Sequence, residues 1–204
     1  MRNLRISALA LLMASVALTI GCSPASDVDD VCLLLSQRRS WYLSARAAYE
    51  KWGVPVPLQL AIIYQESKFS AKAAPPRLRV FGLIPWGRAS SSYGYAQATE
   101  STWRWYMKRT GNYTAERDDF SDAVDFVGWY CSLSEELLGI SKVDAYHQYL
   151  AYHEGHRGFQ EKAHLGKDWL LGIASEVESR ANRYRSQLKR CEEELNGSAA
   201  WGLF

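Results

Sequence analysis

Leu58-Gln-Leu-Ala-Ile-Ile-Tyr-Gln-Glu66-Ser-Lys-Phe69 is the stretch on which the fold turns. From Leu58 to Tyr64 it is apolar nearly all round, interrupted only by Gln59. A helix of that kind is buried on every side and central to its domain. Pro57 suits its first turn, because the missing N–H has no helical partner there. Helices are expected outward in both directions. Before it, Ser40 caps a helix that carries Trp41, Ala45, Ala48 and Trp52 on one stripe and ends at Gly53. After it come helices over about 99–109, 121–138, 142–152 and 167–190. Gly111 closes the first of these and Gly139 the second. The last is the clearest: Leu170, Ile173, Ala174, Val177, Ala181, Tyr184, Leu188 and Cys191 recur at three- and four-residue steps. No strand alternation stands out anywhere. The expected fold class is therefore all-α. The pattern breaks over 71–92, where Pro75-Pro76, Gly82, Pro85, Gly87 and Ser90-Ser91-Ser92 mark a long loop insertion. Phe81, Leu83, Ile84 and Trp86 make that loop apolar enough to form a flap or cleft wall.

Composition narrows the function classes. The chain has 204 residues, 24 Lys+Arg against 22 Asp+Glu, and a formal net charge of +2. Arg2 and Arg5 lie in a segment expected to be removed, which leaves a neutral chain without the basic signature of a nucleic-acid partner. Eight Trp and twelve Tyr are a large aromatic complement. Flat rings with an apolar face and a polar edge suit carbohydrate, and most of them must also pack the core.

The first residues read as export. Met1-Arg-Asn-Leu-Arg5 is basic and Leu9 to Ile20 is apolar, but the apolar run is too short to span a bilayer. Residues 1–21 are read as a signal peptide. Leu18-Thr-Ile-Gly-Cys22 resembles a bacterial lipoprotein cleavage site, with Cys22 the lipidated residue and Thr19 where a Leu is usual. Ser23 at the next position favours the outer membrane. The expected layout is a lipid-anchored tether and first-helix start over 22–39, a catalytic domain over 40–191 and a C-terminal tail over 192–204. Cys32 and Cys191 bracket the folded region and are candidates for a disulfide between first and last helices, as an oxidising compartment allows. Cys131 lies on an apolar helix face as a buried thiol.

Glu66 is the leading chemical candidate. Ile62 and Ile63 lie one turn earlier on its helix, so the carboxylate stands over an apolar face. Desolvation disfavours its charged form, and the helix C-terminus pushes the same way. A carboxylic acid kept neutral near pH 6–7 can protonate a leaving oxygen. Glu66-Ser67 is followed by Gly94-Tyr-Ala-Gln97, Thr102-Trp103, Gly128-Trp-Tyr130 and Ala151-Tyr-His-Glu-Gly155. In that order these segments resemble the landmarks of the lytic transglycosylases with a soluble-lytic-transglycosylase (SLT, goose-lysozyme-like) domain, over about residues 40–190. The family shows Glu-Ser, Gly-Leu-Met-Gln and Ala-x-Tyr-Asn-x-Gly. Here Tyr95-Ala96 replaces Leu-Met, His153 replaces Asn, and the insertion is longer. The chain also looks like a lipoprotein subgroup with Pro-Pro-Arg, Ile-Pro-Trp, Tyr-Gly-Tyr-Ala-Gln and Tyr-His-Glu-Gly segments.

The resemblance implies a lysozyme-like helical domain acting on peptidoglycan glycan strands, as an exported monomer, outside the cytoplasm. It implies cleavage between N-acetylmuramic acid and N-acetylglucosamine with closure of a 1,6-anhydro ring, Glu66 acting as both acid and base and the substrate N-acetyl group assisting. Ser67, Ser91 or Ser92, Tyr93, Gln97, Tyr130, Tyr152 and Glu154 are the expected substrate-binding residues, with Tyr152 bonding either Glu66 or the sugar N-acetyl. No cofactor is implied. His153-Glu154-Gly155-His156 has the wrong spacing for a zinc-protease helix, and no metal is expected even with His164. Two alternatives stay open: a lysozyme-type muramidase in which water replaces the C6 hydroxyl, and a non-catalytic wall-binding lipoprotein on the same fold.

Overall fold

The computed structural model describes residues 28–80 and 84–197. The signal-peptide expectation over 1–21 and the lipidation expectation at Cys22 lie outside these residues, as does the end of the tail. Within them the chain forms seven helices and one hairpin: α1 (Val31–Gln37), α2 (Arg39–Trp52), α3 (Val56–Ser67), β1 (Arg77–Val80), β2 (Ile84–Arg88), α4 (Glu100–Thr110), α5 (Phe120–Leu138), α6 (Ala145–Gln160) and α7 (Asp168–Gly197). No helix among the described residues is long and apolar enough to cross a membrane.

The architecture is all-α, and α3 sits at its centre. Leu58, Leu60, Ala61, Ile62 and Ile63 are all at most 1 % exposed. The helix packs against α2, α5 and α7. Gln59, the one polar interruption, is itself fully buried, and its amide nitrogen donates to the carbonyls of Val54 (2.7 Å) and Ala45 (3.2 Å). These bonds replace what the amide nitrogen loses to water, while Oε1 is buried without a partner among the described residues. A second polar tie lies at Asp125 of α5. It accepts from Trp52 Nε1 of α2 at 2.8 Å, from Tyr106 Oη of α4 at 2.7 Å and from Lys51 Nζ at 3.0 Å.

Side-chain caps start most of the helices. Asp30 accepts from the backbone of Cys32 and Leu33, Thr99 from Thr102, Asp119 from Asp122, and Asp144 from His147. Each satisfies an amide that has no partner inside its helix.

Four features differ from the sequence reading. Ser40, expected as the cap of α2, lies inside that helix, which begins at Arg39 after Arg38 with no side-chain cap. The 71–92 stretch, expected as loop without strand, contains an antiparallel pair, with Leu78 opposite Trp86 and Val80 opposite Ile84. Pro85 and Gly87 hide this pair from a propensity reading. In a two-stranded ribbon both strands are edges, so a proline costs little. Helix α6 does not stop near Tyr152 but continues to Gln160 across a break at Gly155, whose backbone adopts φ 76 and ψ 157. Helix α7 continues past Cys191 to Gly197, so the acidic start of the expected tail is helical. Cys191 is joined to Cys32, Cα to Cα 6.0 Å, which ties α1 to α7. Cys131 is a free, fully buried thiol.

Candidate active site

Helix α3 ends at Ser67, where Lys68 takes the left-handed conformation (φ 51) and turns the chain away. That leaves Glu66 on the last turn, at the wall of a cavity of about 370 Å³. The cavity is closed by the 92–99 loop, the start of α4, Phe126 and Tyr130 of α5, and Tyr152 to Gly155 of α6. The carboxyl is partly exposed to the cavity and otherwise surrounded by protein. Burial is the main influence on it and pushes its pKa up to about 7, against smaller downward pulls from Tyr149 and Lys68. A group with that pKa keeps a large protonated fraction at neutral pH and gives the proton up readily.

Two tyrosines of α6 flank this carboxyl. Tyr149 is 3 % exposed, and its hydroxyl hydrogen-bonds to Glu66 and favours the charged carboxylate. Tyr152 does not bond Glu66. Its hydroxyl donates to the carbonyl of Ala96 at 2.7 Å, tying α6 to the 92–99 loop. Burial first, then the neighbouring Glu66 charge, raises the pKa of both phenols, so each stays protonated. Tyr130 lines the cavity with its ring 5.2 Å from that of Tyr152 and stacked on His156 at 4.3 Å. Tyr149 was not legible as a site residue. The available signal was its position one turn before Tyr152, which puts both on one helix face.

Gln97 lines the same cavity in a left-handed conformation (φ 48). Its amide nitrogen donates to the carbonyls of Gly94 and Ala73, both at 2.8 Å. Both amide hydrogens are thus committed to the loop, and Oε1 is the atom left for a ligand. The same loop is pinned from outside by Arg117, which donates to the carbonyls of Ser91 (2.7 Å) and Ala98 (3.0 Å).

Not every candidate joins the cavity. Ser92 lines it and shares a hydrogen bond with Ser90 at 2.8 Å. Ser91 instead accepts from the backbone N–H of Glu100 at 3.1 Å and supports the start of α4. Tyr93 faces elsewhere, with its hydroxyl 3.2 Å from Asp118. Ser67 is buried, and its hydroxyl donates to the carbonyl of Ile63 at 3.1 Å, a bond within its own helix. Glu154 does line the cavity, but both of its oxygens lie 2.8 Å from Lys167 Nζ. Its side chain is 6 % exposed. The ion pair outweighs burial in deciding its charge. Burial alone would raise its carboxyl, and the hydrogen bonds from Lys167 and His153 outweigh that and hold it below the ordinary value. Among the described residues no group of three His, Cys, Asp or Glu side chains is arranged to hold a metal ion.

This arrangement offers one neutral carboxylic acid at a half-open cavity walled by aromatic rings and hydrogen-bonding groups. It suits proton transfer to a leaving oxygen on a bound sugar. No curated protein and no solved structure matches the chain. The sequence model of the family described as Transglycosylase SLT domain matches residues 9–191, nearly the whole chain. The domain of that family is lysozyme-like and helical, as this fold is. The chain therefore belongs to the SLT-domain transglycosylases, a family of peptidoglycan-cleaving enzymes that act outside the cytoplasm.

Proposed function

We propose that this protein is a lytic transglycosylase in which Glu66 serves first as acid and then as base. The observation that carries the reading is the Glu66 carboxyl at the cavity wall, its pKa raised by burial to about 7. In the first step Glu66 protonates the glycosidic oxygen as the bond to the muramyl C1 breaks. The N-acetyl carbonyl oxygen of the same sugar bonds to C1, so no protein nucleophile is needed. In the second step the Glu66 carboxylate removes the proton of the muramyl C6 hydroxyl. O6 bonds to C1, the bond from the N-acetyl oxygen breaks, and a 1,6-anhydro end is left. One carboxylate suffices, an exception to the usual pair. Tyr149, standing beside the carboxyl, is suited to steady the charge that forms there between the steps. Gln97 Oε1, Ser92 and Tyr130 supply polar and aromatic wall for the sugar. Export and the tether at Cys22 belong to the same proposal, and the Cys32–Cys191 disulfide supports an oxidising compartment.

Digestion of purified sacculi tests it. Wild type is expected to release muropeptides with anhydro ends, resolved from reducing ends by mass spectrometry. Glu66→Gln is expected to lose at least about a hundredfold in rate, the low end for a placed general acid. Equal rates for the two proteins, or reducing ends from wild type, would overturn the reading. The second result would favour the muramidase.

A further inference from the structure

We propose that Lys167 decides the outcome of the reaction by holding Glu154, the second carboxylate of the cavity, out of use as a base, so that the intermediate closes on its own C6 hydroxyl instead of taking up water. The inference rests on the transglycosylase reading of Glu66.

Glu154 lies on α6 immediately before the break at Gly155, and it lines the same cavity as Glu66. A second carboxylate in a glycoside-cleaving cavity is ordinarily the group that takes a proton from water or attacks C1. Here three of its roughly four acceptor positions are already taken. Lys167 Nζ lies 2.8 Å from each oxygen, and His153 Nδ1 lies 3.2 Å from Oε1. A carboxylate that accepts charge-assisted hydrogen bonds on both oxygens is a weakened base. The clamp comes from a different helix. Lys167 directly precedes α7, while Glu154 belongs to α6, so their meeting depends on how these two helices pack.

Removing the ammonium changes the chemistry available. Glu154 would keep only His153 as a partner, inside a cavity where burial favours its protonated form. It would then be a competent acceptor. A water oxygen bonds to the muramyl C1 while the bond from the N-acetyl oxygen to C1 breaks and its electron pair returns to the N-acetyl group. The water proton goes to Glu154, which later releases it to solvent. The product carries a reducing end. Lys167 acts through Glu154 and is a positioning residue, not a catalytic one.

The test is the ratio of anhydro ends to reducing ends in sacculus digests, read by mass spectrometry after borohydride reduction, which changes only the reducing ends. Lys167→Met is expected to raise the fraction of reducing ends about tenfold, below the full effect of an ideally placed base. Lys167→Arg is expected to keep the wild-type ratio, and the double variant Lys167→Met with Glu154→Gln to return to it. The ratio is independent of yield, so a partly unfolded variant still reports. The Lys167 side chain is 39 % exposed, and its loss leaves the core intact. A wild-type ratio in Lys167→Met overturns the inference while the transglycosylase reading stands. A raised ratio that persists in the double variant overturns it too, because water would then be entering without Glu154. Reducing ends as the main product of wild type would overturn the transglycosylase reading and the inference with it.

Discussion

Glu66 sets function against stability within one side chain. Its carboxyl titrates near 4.5 when freely solvated and near 7 in the folded chain. The folded state therefore keeps a proton that the unfolded state gives up between those two values. Stability from this group is fully present below about 4.5 and is lost as pH rises towards 7. By linkage, a shift of that size costs about 3 kcal/mol at alkaline pH. Glu66→Gln has nearly the same shape and no charge. It is expected to unfold like wild type at pH 4 and to be about 2–3 kcal/mol more stable at pH 8, by urea denaturation at the two pH values. Equal stability at pH 8 would mean that the carboxyl is not shielded. On the proposed role of Glu66 the same titration governs rate: kcat/KM is expected to fall about tenfold per pH unit above 7, because only the acid form could protonate a leaving oxygen. Glu66 was legible because Ile62 and Ile63 precede it by one turn and announce a dry face. Tyr149 and Lys167 were not. Tyr149 meets Glu66 from another helix, and Lys167 meets Glu154 across the turn between α6 and α7, and periodicity within one segment records neither meeting.

At the scale of elements, the 92–99 loop is the part of the cavity with least freedom. Its backbone is held by Tyr95 N–H donating to the Arg117 carbonyl at 3.1 Å and by Gly94 N–H donating to the Ala73 carbonyl at 2.9 Å. Gly94 itself has φ 78, and a Cβ there would stand 1.9 Å from the Arg117 oxygen. No rotamer change relieves a clash with backbone. Gly94→Ala is expected to cost about 3 kcal/mol or more, from the strained φ and the displaced segment together. It should also raise KM, since Gln97 is held through the Gly94 carbonyl. Chemical denaturation and initial rates on one preparation check both. A loss of less than about 1 kcal/mol would show that the loop yields easily. The glycine was visible in sequence as the first residue of Gly-x-x-Gln, but its reason was not, because Arg117 approaches from outside that motif. The same limit explains the other elements. The buried helices were readable from three- and four-residue periodicity, which is a property of one segment. The hairpin at 77–88 was not, because Pro85 and Gly87 conceal strand character that pairing alone supplies. The second half of α6 was missed because Gly155 looks like a terminus, and only tertiary packing restarts the helix after it.

At the scale of the whole molecule, a chain with α3 at its centre must be kept from opening at its ends. Helix α7 packs along α3 and α6, and α1 packs against α7 and α2. The Cys32–Cys191 bridge closes this ring across a sequence separation of 159 residues. Cross-linking so long a loop removes much of the freedom of the unfolded chain, worth about 5 kcal/mol at most by the chain-entropy model. For a domain of this size that corresponds to roughly 10–20 °C in Tm. The bridge lies at α1 and the far end of α7, whereas the cavity is built from α3, α5, α6 and the 92–99 loop. The expectation is therefore asymmetric. Cys32→Ser with Cys191→Ser should lower Tm by up to about 10–20 °C and leave the rate on sacculi at 25 °C within about twofold of wild type. Reducing the wild-type protein with dithiothreitol should reproduce the lower Tm, while the double variant should not respond to it. A wild-type Tm indifferent to reductant would mean that helix packing alone holds the ends. A rate that falls together with Tm would mean that α7 transmits strain from the bridge to the cavity, and the two ends of the molecule could no longer be treated as independent.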